Sequence, residues 1–226
     1  MLIVAIDTSG RHGSVALCRG DAVSLETLQL TALEGGTYSA RLTPSIASLL
    51  DDNKLEKSDV DGFVVVSGPG SFTGLRVGLA TVKGFCEVLG KPLAAVSMLE
   101  ALASVYGAAG ETVTTLLDAG RGEVYVGEYR IGKDGAAEFV REYIVKVDEL
   151  AAKTSVLGPR VLTTSAAVAE ILTLASLQVA LVAPLRADAV ARIGLRKLLA
   201  GDVADVSSID VNYIRRSDAE IFSKPK

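Results

Sequence analysis

Two groups of residues in this sequence could bind a phosphate or a metal ion. The first is a glycine-rich turn after the apolar run GFVVV, with the sequence SGPGSFTGLRVG. Such a turn, placed between a strand and a helix, offers free backbone N–H groups to an anion. The second group is a pair of aspartates, Asp7 and Asp118, each at the end of an apolar segment and before a short turn that contains Gly and Arg. Carboxylates in such positions can hold magnesium beside nucleotide phosphates.

Three ways of binding phosphate can be compared with the glycine-rich turn. A P-loop requires G-x-x-x-x-G-K-[ST], and no Gly-Lys pair in the chain is followed by Ser or Thr. A dinucleotide-binding turn requires an acidic residue at the end of the next strand, whereas PLAAVS ends at Ser97. A nonspecific anion site remains open. The residues expected to contact a nucleotide or anion are Asp7, Thr8, Ser9, Gly68, Gly70, Ser71 and Asp118.

Histidine and cysteine, which many nucleophilic and metal-dependent sites use, are scarce in this chain. Ser71 does not lie in G-x-S-x-G, and His12 is the only histidine, so a His-activated serine or a two-histidine metal site is not expected. We expect His12 to face solvent. Cys18 and Cys86 lie in apolar segments without CxxC spacing, which indicates buried free thiols in a reducing compartment.

Composition indicates a soluble cytoplasmic protein with a partner. Apolar residues make up 49% of the 226 residues, and the mean hydropathy of +0.38 suggests that a partner covers some apolar surface. The net charge of -4 predicts no general attraction to nucleic acid. The apolar run that begins at Ile171 is too short and interrupted to span a bilayer, and we expect no signal segment and no membrane association.

The predicted elements repeat one order twice. Periodicity predicts strands at 2–7, 13–18, 22–30, 62–67 and 93–97, and helices within 36–52 and at 73–89 and 98–106. The second half predicts strands near 112–118, 122–130, 138–145, 155–158 and 178–183, with helices at 164–175 and 187–200 and a short helix before them. This α/β pattern resembles the actin-like ATPase (ASKHA) fold of two ribonuclease-H-like domains, with mixed sheets flanked by helices. The predicted domains are residues 1–106 and 107–226.

The helix after the glycine-rich turn has an unusual face. One stripe of large apolar residues is suited to packing on a sheet, whereas another face is rich in glycine. Because glycine inside a helix costs about 1 kcal/mol relative to alanine, we expect a second helix to approach this face closely. The neighbouring helix of the same chain is one alternative, and another chain is the favoured one. The predicted interface residues are Leu42, Ile46, Leu49, Gly74, Arg76, Val77, Gly78, Thr81 and Phe85.

Four segments together resemble the bacterial TsaB (YeaZ) family of tRNA threonylcarbamoyladenosine biosynthesis. They are LIVAIDTSGRHGSVAL, SGPGSFTGLRVG, DAGRGEVYVGEY and VNYIRR. The resemblance implies a non-catalytic subunit that pairs with TsaD, an enzyme that modifies the adenosine next to the anticodon in tRNAs reading ANN codons. It further implies that the complex binds the P-loop ATPase TsaE, that tRNA contacts the chain only through the complex, and that the isolated chain forms a homodimer.

One departure from the family pattern and one alternative function accompany this interpretation. This chain has Tyr38, Ser39 and Ala40 where TsaB proteins commonly have His-Ser-Glu. TsaD-like enzymes have two metal-binding histidines on the first helix, where this chain has none. No tightly bound cofactor is expected, although ATP or ADP with magnesium at the complex interface is left open. The alternative is a stand-alone small ATPase or kinase that uses Asp7 and Asp118.

Overall fold

The structure is a computed structural model that describes residues 1–152, 158–212 and 214. Its contacts divide the chain into two compact units. The first unit comprises Met1–Ala101 and Leu185–Val211, and the second comprises Leu102–Pro184 with the chain from Asn212 onward. Within the described residues, no helix has the length and apolar character needed to cross a membrane.

The first unit contains a five-stranded mixed sheet of order β3-β2-β1-β4-β5. Its strands are β1 (Leu2–Asp7), β2 (His12–Gly20), β3 (Leu25–Glu34), β4 (Gly62–Gly68) and β5 (Leu93–Ser97). Strands β1, β2 and β3 form an antiparallel meander, and β4 and β5 continue the sheet in parallel. The helices that begin in this unit are α1 (Tyr38–Asp52), α2 (Phe72–Leu89), α3 (Met98–Tyr106) and α6 (Ala187–Ala200), with a single 3-10 turn at Lys57–Asp59.

Helices cover both faces of the first sheet. The ring of Phe63 on β4 stacks on Phe85 of α2, with 5.6 Å between the ring centroids. The next residue, Val64, lies against Gly194 of α6, where an added Cβ would approach the valine side chain to less than 3.0 Å. Successive residues of a strand point to opposite faces, so α2 and α6 lie on opposite sides of the sheet.

The second unit repeats the same topology. Its elements are β6 (Thr112–Gly120), β7 (Glu123–Ile131), β8 (Ala137–Lys146), α4 (Val147–Ala152), β9 (Arg160–Thr163), α5 (Ala166–Leu174) and β10 (Val179–Leu181). The sheet order β10-β9-β6-β7-β8 joins an antiparallel meander to parallel strands. Its core includes Leu116, Val126 and Leu172. The predicted duplication and mixed sheets are therefore confirmed.

One predicted strand differs from the structure, and another lies mostly outside the described residues. The third strand, predicted at 22–30, covers Leu25–Glu34 because the carboxylate of Asp21 accepts hydrogen bonds from the backbone N–H groups of Val23 and Ser24 and holds a turn there. Most of the strand predicted at 155–158 lies outside the described residues, which resume at Gly158.

The predicted division into residues 1–106 and 107–226 placed the last helix in the second domain, whereas the structure places it in the first unit. Helix α6 follows β10 in the chain, yet it packs on the first sheet. The hydroxyl of Ser14 on β2 accepts a hydrogen bond from Ala187 N at 2.9 Å and so caps the helix. At its other end, Lys197 lies 3.1 Å from Glu100. Chain order indicated the second domain, but the partners of the apolar stripe of α6 are in the first unit.

Candidate functional site

Two buried polar side chains occupy the turn that follows β1. Asp7 is only 3% exposed, and its Oδ1 accepts hydrogen bonds from Ser9 N at 2.8 Å and Ser9 Oγ at 2.6 Å. Burial raises the pKa of Asp7, and the two bonds from Ser9 oppose that shift only in part. Thr8 is fully buried, and its hydroxyl has no hydrogen-bond partner within the part of the chain that the structure describes. Both groups cost folding free energy where they stand.

Replacing Asp7 with Asn is expected to stabilise the first unit increasingly as pH rises. Below about pH 4 the carboxyl group is protonated in both the folded and the unfolded chain. Above that pH the unfolded chain loses its proton first, because the folded pKa is raised, and the original protein loses stability until the pH passes the folded pKa. Asp7→Asn has no carboxyl group at this position, so its stability does not fall in this way as pH rises. Urea unfolding between about pH 4 and pH 8 measures the difference.

The matched control is Asp118→Asn, which changes an exposed carboxylate in the corresponding turn of the second unit. It should change the unfolding midpoint less than Asp7→Asn does, because the Asp118 side chain is exposed. A difference between Asp7→Asn and the original protein that stays constant across the pH range would contradict the expected titration.

Tyr38, the first residue of α1, closes the turn from the helix side. Its side chain is 4% exposed, and its hydroxyl donates a hydrogen bond to the carbonyl oxygen of Gly10 at 2.7 Å. Burial, with a smaller contribution from the charge of Asp7, raises the pKa of Tyr38 to about 12. Gly13 leaves room for the ring, since an added Cβ would approach the Tyr38 hydroxyl to 2.7 Å. The residue that departs from the family pattern thus holds the turn in place.

Removing the Tyr38 hydroxyl should destabilise the first unit modestly. Tyr38→Phe keeps the buried ring but leaves the Gly10 carbonyl without this donor, so we expect a loss of about 1 kcal/mol in the free energy of unfolding. Thermal or urea unfolding measures the loss. Tyr106→Phe is the control, because Tyr106 also donates its hydroxyl to a backbone carbonyl but in an exposed position, and it should lose less. Equal losses in both variants would contradict the expected effect of burial.

The glycine-rich turn packs directly on the Asp7 turn. Ser71 N donates to the carbonyl oxygen of Ser9 at 2.6 Å, and a Cβ at Gly70 would meet the same oxygen at less than 3.0 Å. Ser71 is the N-cap of α2, and its hydroxyl accepts a hydrogen bond from Gly74 N. The structure therefore brings together Asp7, Thr8, Ser9, Gly70 and Ser71, with Gly68 at the end of β4.

The remaining predicted anion contact, Asp118, lies in the second unit. Its carboxylate is exposed and accepts a hydrogen bond from Gly120 N at 2.7 Å. Arg121 follows at the tip of the turn with a φ of 57°, between two glycines of positive φ. In the described parts of the two units, no three His, Cys, Asp or Glu side chains are close enough to hold a metal ion.

The structure gives Gly74 and Gly78 a different role from the predicted partner contact. Both are buried, and a Cβ at Gly74 would meet the carbonyl oxygen of Thr8, whereas a Cβ at Gly78 would meet the Thr8 hydroxyl, each at less than 3.0 Å. These two positions require glycine because the Asp7 turn of the same chain lies against α2. A Gly78→Leu change would therefore disturb the fold as well as any complex.

Three other predicted interface residues lie in the core. Leu42, Ile46 and Leu49 of α1 are 1–2% exposed, so their side chains are not available to a partner. Of the other members of the predicted set, Val77, Thr81 and Phe85 are half-buried, and the Phe85 ring stacks on Phe63. Arg76 is exposed and lies 3.8 Å from the ring centroid of Phe72.

The outer face of α2 is not covered by other elements of the described chain. We call this line of side chains the docking face: Thr73, Val77, Ala80, Gly84 and Val88. Their spacing of four, three, four and four residues is typical of a helix that packs against another helix. Val88 is 84% exposed, and a Cβ at Gly84 would have no neighbour within 4 Å. Of these five residues the predicted interface set contains only Val77, although the spacing of the other four was visible in the sequence.

Gly84 is the glycine on this helix that the described structure does not explain. It lies in the middle of an α-helix, where glycine costs about 1 kcal/mol relative to alanine. No atom of the described chain lies close enough to exclude a side chain there. A surface glycine in a helical seam lets another backbone approach closely. The docking face is therefore suited to a helix of another molecule.

Comparisons with known proteins agree with this fold. The family model described as TsaD, tRNA N6-adenosine threonylcarbamoyltransferase, matches residues 34–206. The TsaB protein of Bacillus subtilis (strain 168) is 39% identical over 140 residues, which are 62% of this chain and 59% of that protein. TsaB of Escherichia coli (strain K12) is 32% identical over 137 residues, 60% of this chain and 58% of that protein. The matches thus span about three fifths of the length of these curated relatives.

Solved structures show the same architecture. A Pseudomonas aeruginosa protein described as similar to the peptidase YEAZ superposes with a TM-score of 0.75 at 24% identity, covering 95% of this chain and 99% of that one. The activator of 2-hydroxyisocaproyl-CoA dehydratase from Clostridium difficile, solved with bound ADPNP, gives 0.50 at 9% identity, covering 91% and 99%. At these identities the likeness establishes the fold alone.

The two mixed five-stranded sheets flanked by helices define a protein of the actin-like ATPase fold. Within that class, the chain belongs to the TsaB (YeaZ) family.

Proposed function

We propose that this chain is a non-catalytic subunit in the threonylcarbamoylation of tRNA adenosine, which pairs with and activates TsaD and supports the binding of TsaE. The observation that carries the proposal is the docking face on α2, where Gly84 and Val88 are exposed without a partner in the described chain. The names of the relatives supply the pathway.

The docking face fits a partner helix better than it fits solvent. Val88 and Val77 offer apolar area, and Gly84 between them permits close approach of a second backbone. Arg76 lies next to this line and offers a cation at its N-terminal end. The same face serves the homodimer that we propose for the isolated chain, so homodimer and TsaD complex compete for it.

Two features of the sequence support a role without chemistry. The chain has a single histidine, His12, which is exposed at the start of β2, whereas a two-histidine metal site needs a second. The net charge of -4 supports a chain that meets tRNA only through the complex. The cytoplasm is the compartment that we propose, in keeping with two free, buried cysteines.

Reconstitution tests the proposed function. Purified TsaD and TsaE are incubated with tRNA and a threonylcarbamoyl donor, with and without this chain, and modified adenosine is measured by mass spectrometry. We expect modification to depend on the chain and light scattering to detect its complex with TsaD. Equal modification without the chain, or no complex with TsaD, would refute the proposal.

A second candidate function is that of a small ATPase or kinase, and it is favoured by the Asp7 turn. A buried carboxyl group and an unpartnered hydroxyl are costly, and proteins retain such groups at ligand sites. Asp7 and Ser9 supply the oxygen donors that magnesium prefers. If the chain is an ATPase or kinase, we expect the chain alone to bind ATP in calorimetry and to release phosphate from it. Binding that requires TsaD would instead indicate a nucleotide at the complex interface.

A further inference from the structure

We propose that the outer edge of β3 is a docking site for an extended, basic-ended segment of another protein, which adds a strand to the first sheet. Strand β3 is the terminal strand in the order β3-β2-β1-β4-β5. An edge strand presents unpaired backbone N–H and C=O groups, which can form a ladder with an added strand. This surface is separate from the docking face on α2.

The other three sheet edges are protected. At β5, Ala204 N donates a hydrogen bond to the carbonyl oxygen of Leu93 at 2.8 Å, so a following segment covers that edge. Strand β10 has only three residues. Strand β8 carries four charged residues, Glu138, Arg141, Glu142 and Lys146. Short length, cover and charge are the usual means by which proteins prevent edge pairing.

Strand β3 is neither short nor covered within the described chain, and its two charged residues lie near its ends. It is ten residues long with the sequence LETLQLTALE, which contains no Lys, Arg or Pro. The stretch from Thr27 to Leu33 is uncharged, and the bulge in the ladder with β2 lies near its start. Apart from the bonds with β2, no backbone hydrogen bond within the described chain involves residues 26–33. The edge is therefore long, and beyond the bulge it is free to pair.

Charge decides which strand fits this edge. The charged residues of β3 are Glu26 and Glu34, both exposed, at its two ends. Antiparallel pairing of two copies centred on Leu30 would place Glu26 opposite the second copy's Glu34 at both ends. Like charges directly opposite each other destabilise a strand pair, whereas opposite charges stabilise it. A segment with an uncharged middle and a Lys or Arg near each end therefore fits better than a second copy.

A synthetic peptide tests the edge directly. The probe is a blocked peptide of alternating Thr and Val with Arg at both ends, titrated into the full chain labelled with ¹⁵N. We expect saturable changes in amide chemical shift along Leu25–Glu34 and slower amide hydrogen exchange there. The same peptide with N-methyl groups on alternate residues cannot donate ladder hydrogen bonds, and it should not bind. No binding of the first peptide, shift changes centred on α2, or equal binding of the methylated peptide would overturn the proposal.

A charge exchange tests the choice of occupant. The double variant Glu26→Lys and Glu34→Lys alters two exposed side chains, so folding should be retained, which circular dichroism verifies. It should bind the Arg-ended peptide about tenfold more weakly and a Glu-ended peptide correspondingly better. Unchanged preference in the double variant would overturn the basic-ended partner. Concentration-dependent β3 pairing of the chain with itself would do so in favour of a second copy.

Discussion

Replacing Gly74 with Ala should destabilise the first unit by at least about 2 kcal/mol, whereas Gly84→Ala, ten residues later in the same helix, should stabilise it by about 1 kcal/mol. An added Cβ at Gly74 meets the backbone oxygen of Thr8, which cannot move without shifting β1. At Gly84 the added Cβ meets nothing, so only the higher helix propensity of alanine remains. Urea unfolding of both variants measures the two free energies.

A third variant distinguishes a steric clash with the Thr8 backbone from a clash with the Thr8 side chain. Gly78→Ala should also destabilise the unit, because its added Cβ meets the Thr8 hydroxyl. Since that obstacle is a side-chain atom, adding Thr8→Ala should recover part of the stability of Gly78→Ala, but it should recover none for Gly74→Ala. Destabilisation at Gly84, or equal rescue at both glycines, would contradict the assigned contacts.

The second large effect is expected in complex formation. Gly84→Leu should weaken binding to TsaD by about 100-fold or more, because its side chain holds the two helices apart at the docking face, between Ala80 and Val88. The same change should leave the free chain folded, since nothing in the described chain occupies that space. Isothermal titration calorimetry with purified TsaD measures the affinity, and sedimentation of the isolated variant should show loss of the homodimer.

The control places the same side chain on another exposed helix position. Ala200 ends α6, on the opposite side of the first sheet from α2. Ala200→Leu should leave both affinities within about twofold of the original. If Gly84→Leu binds TsaD like the original chain, the docking face is not the interface. If it loses TsaD but keeps the homodimer, the two complexes use different surfaces.

Much of the fold could be predicted because it depends on local patterns. The continuous burial of β1 and β4 follows from their apolar runs, and the stripe of Leu75, Leu79 and Val82 on α2 is buried as its spacing predicts. The repeated order of strands and helices identified the duplicated fold. These features require only the two periodicities of strand and helix.

Assignments that depend on distant parts of the chain could not be made in this way. Helix α6 joins the first sheet through Val64, which lies far from it in sequence. The spacing of Leu42 and Ile46 fits packing on a partner as well as packing on their own sheet. The structure buries both residues within their own unit.

The glycines of α2 show where this boundary falls. The sequence by itself placed three glycines of the helix on one face rich in small residues, since residue spacing sets the direction of each position. Only the tertiary structure decided that Gly74 and Gly78 accommodate the Thr8 backbone and hydroxyl, whereas Gly84 faces open space. The physical reason is that a glycine in the sequence does not reveal which atoms, if any, occupy the space where a side chain would be. The atoms that fill it come from a turn that is more than sixty residues away in the chain.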